Sequence, residues 1–266
     1  MTAAARAGVK LRPLTAFEDA DRVRSIIDRV WGAQVLPREL LRAFQHAGSV
    51  LIGAEDGDEL TGFVLGFMGF AEGLHLHSHM LAVIPERQAG GVGFALKLAQ
   101  RAMALDEGIE EVRWTFDPLV ARNARFNLVK LGAVATRFLP EHYGEMTDVL
   151  NKGDRSDRFE VRWRLKEGRA KRAILGQQRP PAVGRALLMP DEADADRPVA
   201  TGELLAPGAV VRIPSDHPDL RRRDPAAGRA WREAAALAFA ACFESGLEAT
   251  WFAQDGSYVF EPRSER

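Results

Sequence analysis

Residues 77–97 read HSHMLAVIPERQAGGVGFALK, and this stretch decides the fold. An apolar, strand-like run ends at Pro85, three glycines fall in the four positions 90–93, and helical spacing follows. Strand, glycine turn and helix is a common build for a phosphate cradle. The glycines let a ligand approach the main chain, and the unpaired amides of the first helical turn point at it. The turn is not a P-loop, because no Gly-Lys-Ser/Thr closes it. Nor is it a dinucleotide fingerprint, because GGVGFA lacks the GxGxxG spacing.

Upstream, GVKLRPL (8–14) reads as a strand. TAFEDADRVRSIIDRVWG (15–32) reads as a helix capped by Thr15 with Glu18 three residues on, and Val23, Ile26, Ile27, Val30 and Trp31 keep helical spacing. A second short helix covers 37–48. Residues 49–70 carry a hairpin signal, two apolar runs around Asp56–Gly57–Asp58. The strand at 73–85 leads into the glycine turn and a helix over 91–108 that stops near Gly108. Downstream come a strand (109–118), a helix (121–132) with Gly132 after its last turn, and strands at 133–139 and 157–165. This is a complete mixed α/β domain over 1–166. Residues 167–208 are rich in Pro, Gly and charge without a sustained period, which predicts a connector. The end, 209–266, predicts a smaller strand–helix–strand–strand extension, with Asp224 capping a helix that starts at Pro225. Its order resembles a shorter copy of the first domain.

Composition narrows the function. Thirty-six basic residues face 37 acidic ones, so there is no basic surplus or stripe for nucleic acid. DLRRRDP (219–225) reads as a solvated turn before a helix. The single cysteine, Cys242, excludes an internal disulfide, suits a reducing cytosol, and lies in the apolar run LAFAACF as a packing residue. Neither a signal-peptide core nor a membrane-length apolar run occurs. A cytoplasmic protein with no membrane and no nucleic-acid partner is expected.

Val83, Pro85, Glu86, Gln88, Gly91 and Gly93 stand in the register of the GNAT acyl-CoA N-acyltransferase superfamily. That family carries Gln/Arg-x-x-Gly-x-Gly/Ala after its fourth strand. The element order over 8–165, and KLGA at 130–133, also resemble it. HSHMLAV, WTFDPLVARNARFNLVKLGA, YGEM and SDRFEVRW are similar to a branch linked to o-succinylbenzoate synthase and N-acylamino acid racemase. The resemblance implies a central mixed sheet flanked by helices and an N-acyltransferase. The donor would be acetyl-CoA or another acyl-CoA, succinyl-CoA included, and the acceptor a small amine, amino acids first.

The resemblance also implies a site. The turn Arg87, Gln88, Ala89, Gly90, Gly91, Val92 and Gly93 would hold the pyrophosphate, Leu81 and Val83 the pantetheine, and Asn123 or Asn127 would bond it further. In members with a carboxylate base on the fourth strand, the base can lie eleven residues before the motif Gln, which here is His77. His75, His77 and His79 alternate, so they share a strand face. Three readings stay open for them: a zinc strand, which lacks an evident fourth ligand; a structural set; and a base or substrate-orienting group, with His77 first and His79 beside the substrate. No metal is expected. The family's thiolate acid, a Tyr four residues before the last helix's Gly, is Leu128 here. Tyr143 is then either the acid or a loop anchor. Asp117 is either an ammonium ligand or a turn residue. An acyl-CoA-binding module without turnover is the rival reading, and a homodimer is left open.

Overall fold

A computed structural model describes residues 2–32, 36–182, 184–202 and 208–263. The chain forms two compact units, Met1–Trp114 with Thr147–Lys152, and Thr115–Met146 with Gly153–Arg266.

The first unit opens with α1 (Ala3–Ala7) and β1 (Lys10–Pro13). Then follow α2 (Phe17–Trp31), α3 (Arg38–His46), β2 (Val50–Asp56), β3 (Glu59–Gly69), β4 (His75–Val83) and α4 (Val92–Asp106), with β5 (Glu111–Phe116) starting in this unit. The strands lie side by side in chain order, antiparallel from β1 to β4. β4 and β5 are parallel, with Leu76 opposite Val112 and His77 opposite Arg113. Both register pairs fall in the first half of β4. The helix α2 forms where the apolar spacing predicts it, but its cap differs. Ala16 is the cap residue, and the buried Asp19, not Glu18, accepts the Ala16 N–H at 3.0 Å. Arg12 also grips Asp19 with two bonds of 2.9 and 2.7 Å, so this acid joins the helix start to β1.

Alternation along β4 decides what each face meets. Met80, Ala82 and Ile84 join Val23, Ile26, Ile27 and Leu41 in the core under α2 and α3. Leu81 and Val83 lie on the other side, within van der Waals reach of α4 at Gly93. The alternation is reset by a bulge. Leu65 pairs with Met80 but Gly66 pairs with Ser78, so His79 is the extra residue.

The second unit contains α5 (Ala121–Ala124), which continues as a π-helical turn over Arg125–Lys130, then β6 (Val134–Leu139), β7 (Arg158–Arg164) and α6 (Gly168–Ile174). It goes on through β8 (Arg185–Pro190), β9 (Pro198–Ala200), β10 (Ala209–Arg212), α7 (His217–Arg223), α8 (Pro225–Glu244), β11 (Leu247–Phe252) and β12 (Ser257–Pro262). Its strands follow the order β7-β6-β11-β12-β10-β8-β9. An aromatic core joins β7 to α8 and β12. Phe159 meets Phe239 at 4.6 Å and Tyr258 at 5.3 Å, and Phe243 meets Phe260 at 5.4 Å. Such edge-on ring pairs add to the area they bury.

Four expectations differ from the structure. Residues 167–208, expected as a connector, hold α6, β8 and β9. These elements are too short to display a period, and they bury only Ala170 and Ala173 of α6 and Leu187 and Leu188 at the middle of β8. DLRRRDP is largely the helix α7, capped by Asp216, whose carboxylate accepts the Asp219 N–H at 2.9 Å. The extension does not copy the start of the first unit. β10 pairs with β12, whereas β1 pairs with β2. The division after residue 166 does not coincide with the compact units, because β6 and β7 share a sheet and core with the extension. The expected cap at Asp224 is present, accepting from Ala226 and Ala227 at 3.0 and 2.9 Å.

Candidate functional site

The glycine turn is built from β4 outward. Ile84 donates its N–H to Thr61 at 2.9 Å, and Pro85–Gly90 then coils as a 3₁₀ turn. Gly91 follows at φ +82°, as the residue that starts α4. L-residues disfavour that conformation and glycine does not. A side chain at Gly91 would meet only Ala7 Cβ at 4.0 Å, so conformation, not space, demands glycine there. No side chain caps α4. Its first amides have no acceptor within the helix, and the turn Gln88–Gly91 is exposed while Val92 is buried and roots the helix. The result is an open amide array carrying the positive end of a 15-residue helix.

The predicted residues divide clearly around this turn. Gln88 folds back and donates to the Val83 carbonyl at 3.2 Å, closing the turn on β4. Arg87 reaches the carbonyls of Ala7 and Gly8 at 3.1 and 3.4 Å and Asp56 at 3.3 Å, so its side chain braces α1 and β2. Ala89 and Gly90 are exposed. At Gly93 a methyl group would lie at 3.7 Å from Val83 and 3.8 Å from Leu81, an ordinary contact.

The histidines gather around Phe67. The His77 and His79 rings lie 5.1 and 5.7 Å from it and 6.2 Å from each other, and Phe44 of α3 stacks on Phe67 at 5.4 Å. The bulge at His79 lets two successive histidines meet one ring. Desolvation lowers the pKa of His79, which favours the neutral imidazole. His75 is buried and bonds the Gly73 carbonyl through Nδ1 at 2.9 Å. Among the described residues, no group of three or more His, Cys, Asp or Glu side chains is arranged to hold a metal ion.

Sequence reasoning missed Lys97. Only 2% exposed, it sits on the inner face of α4, donating to Ser78 Oγ at 3.0 Å and Gln100 Oε1 at 2.6 Å, with Trp114 3.9 Å away as a cation–π partner. Burial pulls its pKa well below the ordinary lysine value. The signal was present: Lys97 stands one position after Leu96 and three before Gln100, on the stripe that α4 buries.

In the second unit, Asp117 accepts the Leu119 N–H at 2.9 Å and is gripped by Arg232 through bonds of 2.8 and 2.9 Å. Its carboxylate is thus committed to a turn and a guanidinium. Arg232 also bonds Asp154, at 2.6 Å, and Arg221 bonds Asp154 at 3.0 Å. Burial alone would raise the pKa of Asp154, but the Arg232 bond and the surrounding cations hold it below the usual carboxylate value. Asn123 is half-buried and Asn127 buried, within the π-helical turn. Such turns often mark functional sites. Leu128 is fully buried. The Tyr143 hydroxyl lies 2.9 Å from Thr115 Oγ1, its N–H donates to Ser156 Oγ at 3.0 Å, and the Arg158 guanidinium covers its ring at 5.3 Å.

Residues 19–132 match the family model described as Acetyltransferase (GNAT) family. The match covers less than half of the chain, which is similar to this family over that stretch. No curated protein matches the chain. Solved structures similar to it include the ribosomal-protein-S18-alanine N-acetyltransferase of Escherichia coli. That protein is 15% identical, covers 60% of this chain and 96% of its own, and has a TM-score of 0.49. Another is yncA from Salmonella typhimurium, solved with its cofactor acetyl-CoA: 17% identical, 65% of this chain, 98% of its own, TM-score 0.47. A third is the acetyltransferase of GNAT family from Streptococcus pneumoniae: 13% identical, 58% of this chain, 98% of its own, TM-score 0.49. No helix among the described residues is long and apolar enough to cross a membrane.

Proposed function

We propose that this GNAT domain transfers an acyl group, acetyl or succinyl, from its CoA thioester to the amine of a small molecule, amino acids first. The amine attacks the thioester carbonyl directly, a new C–N bond replaces the C–S bond, and CoA leaves as a thiolate. The single observation that carries the reading is the exposed turn Gln88–Gly91 at the uncapped start of α4, with Gly91 held in the left-handed conformation. The array matches a pyrophosphate in charge and donor geometry.

The roles follow from chemistry. Leu81 and Val83 flank Gly93 and give the pantetheine an apolar wall. Asn123 and Asn127 supply amides for it. An amine acceptor is mostly protonated near neutral pH, with a lysine-like pKa of about 10.4, so a base assists attack. His77 is assigned that task and His79, whose pKa desolvation lowers, a place beside the acceptor. Tyr143 returns a proton to the thiolate. Asp117 is assigned to holding the end of β5, since its oxygens are taken by Arg232 and Leu119. In this reading residues 1–166 supply the acyltransferase domain and 209–266 an extension.

One observation favours the second reading, an acyl-CoA-binding module without turnover. Leu128, fully buried, stands where many relatives carry the acid tyrosine. The test is a melting-temperature series with CoA, acetyl-CoA and succinyl-CoA, followed by thiol release with amines. A ligand at a hundred times its Kd adds about 2.7 kcal/mol of stability. A shift with thiol release across amines supports transfer, and a shift without release supports the binding module. No shift with any of the three overturns both.

A further inference from the structure

A second cavity, entirely within the second unit, is not used by the acyltransferase reading. It encloses 440 Å³ between the first turn of α5, the end of β10 and the β11–β12 turn. That size falls within the range of small-molecule sites, about 300–1,000 Å³. Three guanidinium groups line it, Arg122, Arg125 and Arg212, with the Ser215 hydroxyl and the ring of Phe252. Asp255 is the one acid in the lining, so the charge is three positive against one negative. The Asp255 carboxylate is already engaged by the Ser257 N–H at 3.1 Å.

Two further features mark this as a receptor for an anion. Among the described residues, the side chain of neither Arg125 nor Arg212 has a hydrogen-bond or ion-pair partner. Elsewhere in the same unit exposed arginines find acids, as Arg222 does with Asp219 and Arg223 with Asp196. The wall is also fixed in advance. Ala253 donates to Ser257 at 2.8 Å, and Ile213 donates to Gly256 at 3.0 Å. Gly256 itself sits at φ +87°, where a side chain would be strained and would meet that Ile213 oxygen at 3.0 Å.

We propose that this pocket binds a small molecule through a phosphate group. Planar guanidinium forks pair bidentately with phosphate oxygens. The unengaged Arg125 and Arg212 forks and the Ser215 hydroxyl suit a tetrahedral dianion, whereas one carboxylate would leave donors unmatched. Phe252 supplies an apolar surface for the body of a phosphate ester. The site differs from the face of α5 assigned to pantetheine, because Asn127 is buried while Arg122 and Arg125 are exposed. The proposal does not depend on acyl transfer.

The test is calorimetric titration of inorganic phosphate and of AMP into the full chain, with saturating CoA present to cover the glycine turn. Arg125→Gln and Arg212→Gln are the variants, each first checked for an unchanged melting temperature. Arg125 is exposed, so its variant keeps the test open if the other fails to fold. Losing one charge-assisted bond weakens binding by about tenfold or more. Binding of either probe that falls by that factor in the variants supports the proposal, and tighter AMP than phosphate assigns an ester. No binding of either probe overturns it, as does binding indifferent to both substitutions. A matching loss of CoA affinity in the variants overturns it too, by giving the pocket to CoA.

Discussion

Arg232, on the buried face of α8, closes a two-pronged bridge to Asp117 at the end of β5, with both N–O distances below 3 Å. The pair lies 115 positions apart in the sequence. Arg232 is nearly inaccessible, 3% exposed, and its other edge is held by Asp154. The C-terminal helix therefore fixes the backbone that precedes α5.

Breaking this bridge leaves two carboxylates without their shared cation. Removing one partner of a buried pair costs about 3–5 kcal/mol. Arg232→Met is expected to lose stability of that order in urea unfolding, read as a lower midpoint. The pH dependence follows from Asp154. Its folded pKa is depressed, so its share of the stability is present above the unfolded value of about 3.9 and is lost as pH falls through the folded one. Wild-type stability is expected to fall steeply below about pH 4, and Arg232→Met to flatten that fall.

The two glycines of the turn are expected to respond differently. Gly91→Val forces a branched residue to φ +82°, costing roughly 1–2 kcal/mol and moving the amides that face the ligand. Gly93→Ala adds a methyl at ordinary contact distance from Leu81 and Val83. Melting curves with and without acetyl-CoA check both. Gly91→Val should lose most of the ligand-induced shift and Gly93→Ala should keep it.

These two glycines show what the sequence could convey. A local motif such as GGVG announces a turn and a helix start by itself, and the hairpin around Gly57 and the cap at Asp224 are equally local. The Arg232–Asp117–Asp154 network joins three distant segments, and an isolated Arg in an alanine-rich helix gives no sign of its partners. The bulge at His79 is likewise silent, because it is a register choice between two strands that both alternate acceptably. The helix α7 was hidden by its own charge, since Arg221 and Arg223 also reach acids on other segments, Asp154 and Asp196, and only the pairing with Asp219 is local.

His77 supplies the test of the chemistry. His77→Ala is expected to slow transfer by about 100-fold and to leave the melting shift with acetyl-CoA unchanged. The wild-type rate should rise with pH through the histidine range, near 6.5 for an ordinary imidazole, and the variant should lose that inflection. A variant with wild-type rates at every pH would remove His77 from the mechanism.

Lys97 makes the last prediction, and two effects compete in it. Lys97→Met relieves the dehydration of a buried ammonium but removes the donor to Gln100 Oε1 and Ser78 Oγ. An orphaned buried acceptor costs about 1–3 kcal/mol, so the change in stability near neutral pH is expected to be small. The pH slope separates the two terms. Burial depresses the folded pKa of Lys97, so over the window from that value up to about 10.4 the unfolded chain binds more protons than the folded one. Stability from this group must then rise with pH across the window. The Trp114 ring favours the charged form and works against that slope without the desolvation that sets its sign. Urea unfolding between pH 7 and 10 should show the rise in the wild type and its loss in Lys97→Met. Equal slopes would mean that Lys97 keeps an ordinary pKa despite its burial.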